Sequence, residues 1–149
     1  MTDTPLASSA PILVIGAGQA GFAAANKLRE LGHSGPITLI GDELELPYQR
    51  PPLSKGYLLG ELSRERLFLR PAEFFASRDL TVLRGQKVEE IRRDARQVML
   101  SDGTTLPYAR LLLATGARPR RLPASMGGDM RNVLTVRSLA DANAMAKAF

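Results

Sequence analysis

At 149 residues and 44% hydrophobic content the chain is long enough to bury one core, and one globular domain is expected, with Met1 to Ala10 as a flexible leader and 11–149 as the folded part. No apolar run approaches a membrane span and MTDTPLASSAP lacks the basic start and apolar centre of a secretion signal, so a cytoplasmic protein is expected; with no cysteine there is no disulfide, thiolate nucleophile or redox-active Cys pair, and any redox chemistry falls to a bound cofactor. The net charge of +5 comes from arginines grouped at Arg64/Arg66/Arg70, Arg92/Arg93/Arg96 and Arg118/Arg120/Arg121, and aromatics, at 5%, do not interleave with them as nucleic-acid binding requires, which leaves an acidic protein partner or plain solvated faces.

Ile12 to Ile15 is a short β-branched run, the pattern of a strand buried on both faces of a parallel sheet. Gly16, Ala17, Gly18, Gln19, Ala20 and Gly21 follow as G-x-G-x-x-G, the turn in which a helix N-terminus meets a dinucleotide pyrophosphate. No Gly-Lys-Ser/Thr is present to suggest a P-loop. The helix is expected to run to about Leu31 and stop at Gly32, with Ala20, Ala24, Leu28 and Leu31 on one face and Lys27, Arg29 and Glu30 on the other. After Gly35-Pro36, a second strand at Ile37 to Ile40 ends in Gly41-Asp42-Glu43. Asp42 and Glu43 stand where a dinucleotide fold hydrogen-bonds the adenosine ribose and repels a 2′-phosphate, so FAD or NAD is expected rather than NADP. These residues do not separate FAD from NAD.

Residues 44–60, LELPYQRPPLSKGYLLG, leave the strand–helix rhythm. Pro47, Pro51 and Pro52 stiffen the chain, Gln49 and Arg50 are expected in or near extended geometry, and the arm presents Arg50 as a planar fork and Lys55 as a compact charge. The run YQRPPLSKGYL after a strand ending GDE resembles the FAD-dependent NADH:ferredoxin reductase family, which includes putidaredoxin reductase-like and rubredoxin reductase-like flavoproteins, the flavin domain of apoptosis-inducing factor and nitrite reductase large subunits. The resemblance implies that Asp42 and Glu43 touch the adenosine part of FAD, that Arg50 contacts the cofactor, and that Lys55, the catalytic candidate, lies near the reactive edge of the isoalloxazine.

Leu67-Phe68-Leu69 reads as a short apolar patch, and a helix opened by Pro71 turns Phe74 and Phe75 inward; Phe68, Phe74 and Phe75 are read as core. Strands are expected at Leu80 to Leu83, Lys87 to Ile91, Gln97 to Leu100 and Thr105 to Tyr108, with a hairpin turn at Asp102-Gly103, together forming a small antiparallel meander. Leu111 to Gly116 reads as a buried strand that returns to the parallel sheet beside the first strand, with Thr115-Gly116 at its ligand edge. A further strand is expected at Val133 to Val136, and Ser138 as the cap of a helix over Leu139 to Phe149. By resemblance, ATGARPR is the second flavoprotein signature, with the backbone of Ala114, Thr115 and Gly116 closing over the cofactor. On the same basis Val88 packs its backbone against the adenine and Arg137 contacts FAD.

The expected fold is α/β: a Rossmann-like FAD-binding domain of the two-dinucleotide-binding flavoprotein type, a parallel sheet with helices plus the meander, and incomplete. The family continues into an NADH-binding Rossmann unit, a returning segment of the flavin domain and an interface domain, so an amino-terminal fragment or a separately encoded piece is expected. The function expected from the resemblance is the FAD-binding part of an NAD(P)H-dependent ferredoxin reductase, with NADH as donor and a ferredoxin-like iron–sulfur protein, acidic in character, as acceptor. No metal site, membrane or nucleic acid enters this expectation. The alternatives are a non-enzymatic nucleotide-binding or interaction module with a single Rossmann unit, or a rubredoxin or nitrite reductase flavoprotein fragment. Without a Cys-x-x-Cys pair, disulfide-reductase relatives are disfavoured.

Overall fold

Ile12–Ile15 forms strand β1, and its four side chains are buried because it runs between β2 (Ile37–Ile40) and β7 (Arg110–Leu113) with cover on both faces. This is a computed structural model, and it describes residues 9–148, so most of the expected leader and Phe149 lie outside the described residues. The described chain divides into two compact units. One holds residues up to Pro47 with Arg70–Gly116, the other Tyr48–Leu69 with the residues from Ala117 onward.

The first unit is built on a four-stranded parallel sheet of order β3-β2-β1-β7, where β3 is Leu80–Leu83. Ile15 stands level with Ile40 on one side and Leu113 on the other, so the carboxyl ends of β1, β2 and β7 finish together. Because side chains alternate along a strand, Val14 points to one face and Leu13 and Ile15 to the other. Helix α1 (Gln19–Glu30) covers the Val14 face, while β4 (Val88–Arg92), β5 (Gln97–Leu100) and β6 (Thr105–Pro107) form an antiparallel meander whose Val98 and Leu100 pack on Leu13, Ile15 and Ile40. Asp102-Gly103 makes the β5–β6 turn as expected: Gly103 has φ +85°, and the Asp102 carboxylate accepts from the Thr104 amide at 2.8 Å.

Four expectations in this unit are corrected. Leu80–Leu83 belongs to the parallel sheet, in register with β2, so the meander has three strands. The buried face of α1 is Gly21, Phe22 and Ala25, whereas Ala20 is exposed and Leu31 is 73% exposed, just past the helix end. Phe22 is drawn in by an edge-on cluster with Phe74 and Phe75 of α2 (Ala72–Ser77). Arg29, expected on the solvated face, has a side chain only 9% exposed. Its guanidinium donates to the carbonyls of Arg78, Asp79, His33 and Gly35 at 2.6–2.9 Å, tying the end of α1 to the α2–β3 turn. Finally, among the described residues β7 lies at the edge of the sheet: Leu111 packs inward, but Leu112 and Leu113 are 37% and 61% exposed, so in this chain the strand is less buried than its apolar run suggests.

The second unit has its own core of Tyr48, Leu53, Leu67, Leu139 and Ala142. Two 3-10 turns, Pro51–Ser54 and Arg64–Leu67, an isolated bridge between Tyr48 and Phe68, and helix α3 (Leu139–Ala146) frame it. The strand expected at Val133 to Val136 does not form. Val133 and Leu134 are 37% and 39% exposed, and no sheet edge among the described residues receives them.

Candidate functional site

The chain climbs out of β1 at Gly16 with φ +114°, a conformation that L side chains rarely adopt. A Cβ there would also collide with the Ala114 carbonyl, which stands beside the turn because β7 continues the ladder through the Ala114 amide to the Ile15 carbonyl at 2.7 Å. Gly21 is needed for a different reason: a Cβ would strike the Gly16 carbonyl and press on Val14, so its absence lets α1 lie against β1. Gly18 has neither reason. Its backbone is extended (φ −93°, ψ −166°), and nothing lies within 4 Å of where its Cβ would be. The protein itself leaves that space clear, as close approach by a ligand requires.

Gly18 is also the N-cap of α1 and offers no side chain to the helix start. In any helix the first amides, here Gln19, Ala20 and Gly21, have no intrahelical acceptor, and the dipole is positive at that end. No acidic residue occupies the first turn to neutralise it, and Gln19 and Ala20 are exposed. These donors fit a pyrophosphate.

The structure gathers the other expected residues of this unit at the same edge. Asp42, exposed, and Glu43, half-buried, follow β2, with Gly41 bonded to β3 through the Leu83 carbonyl at 2.9 Å. Ala114, Thr115 and Gly116 follow β7, the last with φ +71° and Thr115 exposed. The sheet order changes direction between β1 and β7, the topological position at which open parallel sheets bind ligands. Val88 packs its side chain on the Leu13–Ile15–Val98 core, and a register irregularity between Val88 and Glu90 breaks the β4–β5 ladder beside it.

Arg50, Lys55 and Arg137 belong to the second unit. Arg50 is helical (φ −81°, ψ −33°) rather than extended, although proline follows it. The Leu53 amide bonds to its carbonyl at 3.0 Å, and its guanidinium donates to the Arg137 carbonyl at 2.6 Å and the Tyr48 hydroxyl at 3.2 Å while lying 5.1 Å from the Tyr48 ring centre. These bonds outweigh the local preference of a residue before proline. Two of the expected residues are thus joined, side chain to backbone. Lys55 closes the Pro51–Ser54 turn and is exposed.

Tyr48 was not singled out in the sequence, yet its buried hydroxyl accepts from both Arg50 and the Leu139 amide (2.9 Å) at the start of α3. The signal available was an aromatic residue set between prolines two positions before Arg50. The start of α3 is completed by a capping box: Asp141 accepts from the amides of Ser138 (2.8 Å) and Arg137 (3.0 Å), and the Asp141 amide donates to the Ser138 hydroxyl at 3.2 Å. Partial burial pushes the Asp141 carboxyl up, but the bonds from Ser138 and Arg137, with the charge of Arg121, bring it below the usual carboxylate value. Among the described residues no group of three or more His, Cys, Asp or Glu could hold a metal ion, and no helix is long and apolar enough to cross a membrane.

Residues 10–149 match the family described as pyridine nucleotide-disulphide oxidoreductase. The chain is 49% identical over 134 residues to rhodocoxin reductase of Rhodococcus erythropolis, covering 90% of this chain and 31% of that protein. It is 43% identical over 138 residues to putidaredoxin reductase CamA of Pseudomonas putida, covering 91% and 33%. The crystal structure of the covalent putidaredoxin reductase–putidaredoxin complex matches with a TM-score of 0.86 at 42% identity, covering 93% of this chain and 34% of that one. The chain therefore spans about a third of the length of these relatives.

Proposed function

Because the chain belongs to the pyridine nucleotide-disulphide oxidoreductase family, we propose that it forms the FAD-binding part of an NAD(P)H-dependent ferredoxin reductase that passes electrons from NADH through FAD to a small iron–sulfur protein. The observation that carries this reading is Gly18, the one glycine of the turn that neither backbone conformation nor packing demands. FAD supplies the redox chemistry when bound, since a flavin exchanges electron pairs with a nicotinamide and single electrons with an iron–sulfur centre.

The protein's share is binding and orientation. The amides of Gln19, Ala20 and Gly21 hold the pyrophosphate, with Ala17 and Gly18 as the backbone over which it passes. Asp42 and Glu43 accept from the adenosine ribose, Val88 backs the adenine, and Ala114, Thr115 and Gly116 close over the cofactor. By the family resemblance, Arg50 and Arg137 are assigned to FAD contact and Lys55 to the reacting edge of the flavin. The NADH step belongs to the part of the relatives' length that this chain does not span. The acceptor is an acidic ferredoxin, for which Arg93, Arg96, Arg118, Arg120 and Arg121 offer exposed positive charge. The reductase works in the cytoplasm.

Titration of the purified chain with FAD, followed by its visible spectrum, tests the reading. A perturbed, retained flavin spectrum is expected, and Asp42→Asn with Glu43→Gln weakens FAD binding more than FMN binding, because FMN has no adenosine. A protein that binds NAD but leaves the FAD spectrum unchanged would overturn the proposal in favour of a non-enzymatic nucleotide-binding module.

A further inference from the structure

Gly41 is demanded by a single neighbour. Its φ lies outside the positive region, so its backbone conformation suits any residue. A Cβ at this position, however, would stand 2.7 Å from the Ala17 Cβ, with the Ala17 amide nitrogen and Cα at 3.5 and 3.6 Å. Carbon atoms do not approach so closely, and one side has to move. The Gly41 side is pinned: its amide donates to the Leu83 carbonyl and its carbonyl accepts from the Gln86 amide, both at 2.9 Å. The base of the turn is also held, since the Gly16 amide donates to the Ile40 carbonyl at 2.8 Å. Only the turn beyond Gly16 can give, and it leads directly into Gly18 and the first amides of α1.

We propose that Gly41 is a positioning residue that sets the separation between the phosphate-binding amides of α1 and the Asp42/Glu43 carboxylates by allowing Ala17 to rest against the end of β2. A dinucleotide whose pyrophosphate meets the first group and whose ribose meets the second spans this separation; the inference rests on the dinucleotide reading given above. Gly41 touches no ligand in this role. It acts through Ala17.

The test moves the methyl group rather than only adding one. FAD and ADP are titrated against the wild-type chain, Gly41→Ala, and Gly41→Ala combined with Ala17→Gly, with thermal unfolding recorded for each. Gly41→Ala is expected to weaken both ligands about tenfold, and the double variant to recover most of that loss, because it restores the one-methyl spacing. Undiminished binding by Gly41→Ala would overturn the positioning role while leaving the dinucleotide reading intact. Failure of the double variant to bind more tightly than Gly41→Ala would overturn the pairing with Ala17, even if Gly41→Ala alone folds poorly. If the wild-type chain binds neither FAD nor ADP, the dinucleotide reading fails and the proposal with it.

Discussion

The glycine turn and the proline arm are both assigned to one cofactor, yet they are built in opposite ways. At the turn, the proposed binding atoms are the first backbone amides of α1, and the residues that shape the fold, Gly16 and Gly21, differ from the one beside which the protein leaves space, Gly18. In the arm, Arg50 is both the proposed ligand contact and a fold contact, since its guanidinium already holds the Arg137 carbonyl and the Tyr48 hydroxyl. On the proposed assignment, folding and binding reside on separate residues in the first region and on the same residue in the second. Substitutions should separate the two effects in one place and not in the other.

The largest effect is expected at the turn. Gly16→Ala forces a side chain into φ +114° and against the Ala114 carbonyl, and a loss of about 3 kcal/mol or more in urea unfolding is expected together with loss of FAD binding. Gly18→Ala is expected to stay within about 1 kcal/mol of the wild type, the scale of an N-cap change, yet to bind FAD poorly. Equal destabilisation by the two would erase the division of labour between them.

The same division explains what could be read in advance. The β1–turn–α1 unit was legible because its signals are local: a β-branched run, glycines at fixed spacing and a stop at Gly32, which does take φ +86°. The glycines also hid something, since Gly21 counts as nothing in a hydrophobic face and yet is one of the three buried residues of α1. What failed was partner choice over distance. Leu80–Leu83 carries the same pattern whether it joins a hairpin or the parallel sheet, and only its register with β2 decides. Likewise LLLATG cannot announce that β7 lies at the edge of the sheet among the described residues, and the proline rule for Arg50 gave way to a set of bonds that includes one to Arg137, 87 positions away.

In the arm, Arg50→Ala is expected to cost about 1–3 kcal/mol, because it removes the donor to the Arg137 carbonyl and one of the two donors to the buried Tyr48 hydroxyl, and to weaken FAD binding as well. Lys55→Ala removes an exposed side chain and is expected to change stability by less than about 0.5 kcal/mol while weakening FAD binding or slowing flavin reduction. Urea midpoints and FAD titrations on both variants decide the matter. If Arg50→Ala leaves the midpoint unchanged, the arm is built like the turn and the contrast fails.

The last effect depends on pH and belongs to the second unit alone. Asp141 is the acceptor that orders the amides of Arg137 and Ser138, and its carboxyl titrates below the usual value. A group depressed in the folded state contributes stability above its unfolded pKa, about 3.9, and that contribution is lost as pH falls through the lower folded value. Asp141→Asn should therefore destabilise by about 1 kcal/mol near neutrality, with the deficit shrinking below about pH 4 as the wild type loses its own advantage. Unfolding midpoints of both proteins between pH 7 and pH 3 measure this, and a deficit that grows on acidification would refute it. At the turn, where no acidic residue caps α1, Gly18→Ala should leave the pH dependence of stability as it is in the wild type. Acid would then loosen the backbone that carries Arg137 while leaving the glycine turn as it was, because a carboxylate caps the start of α3 and none caps the start of α1.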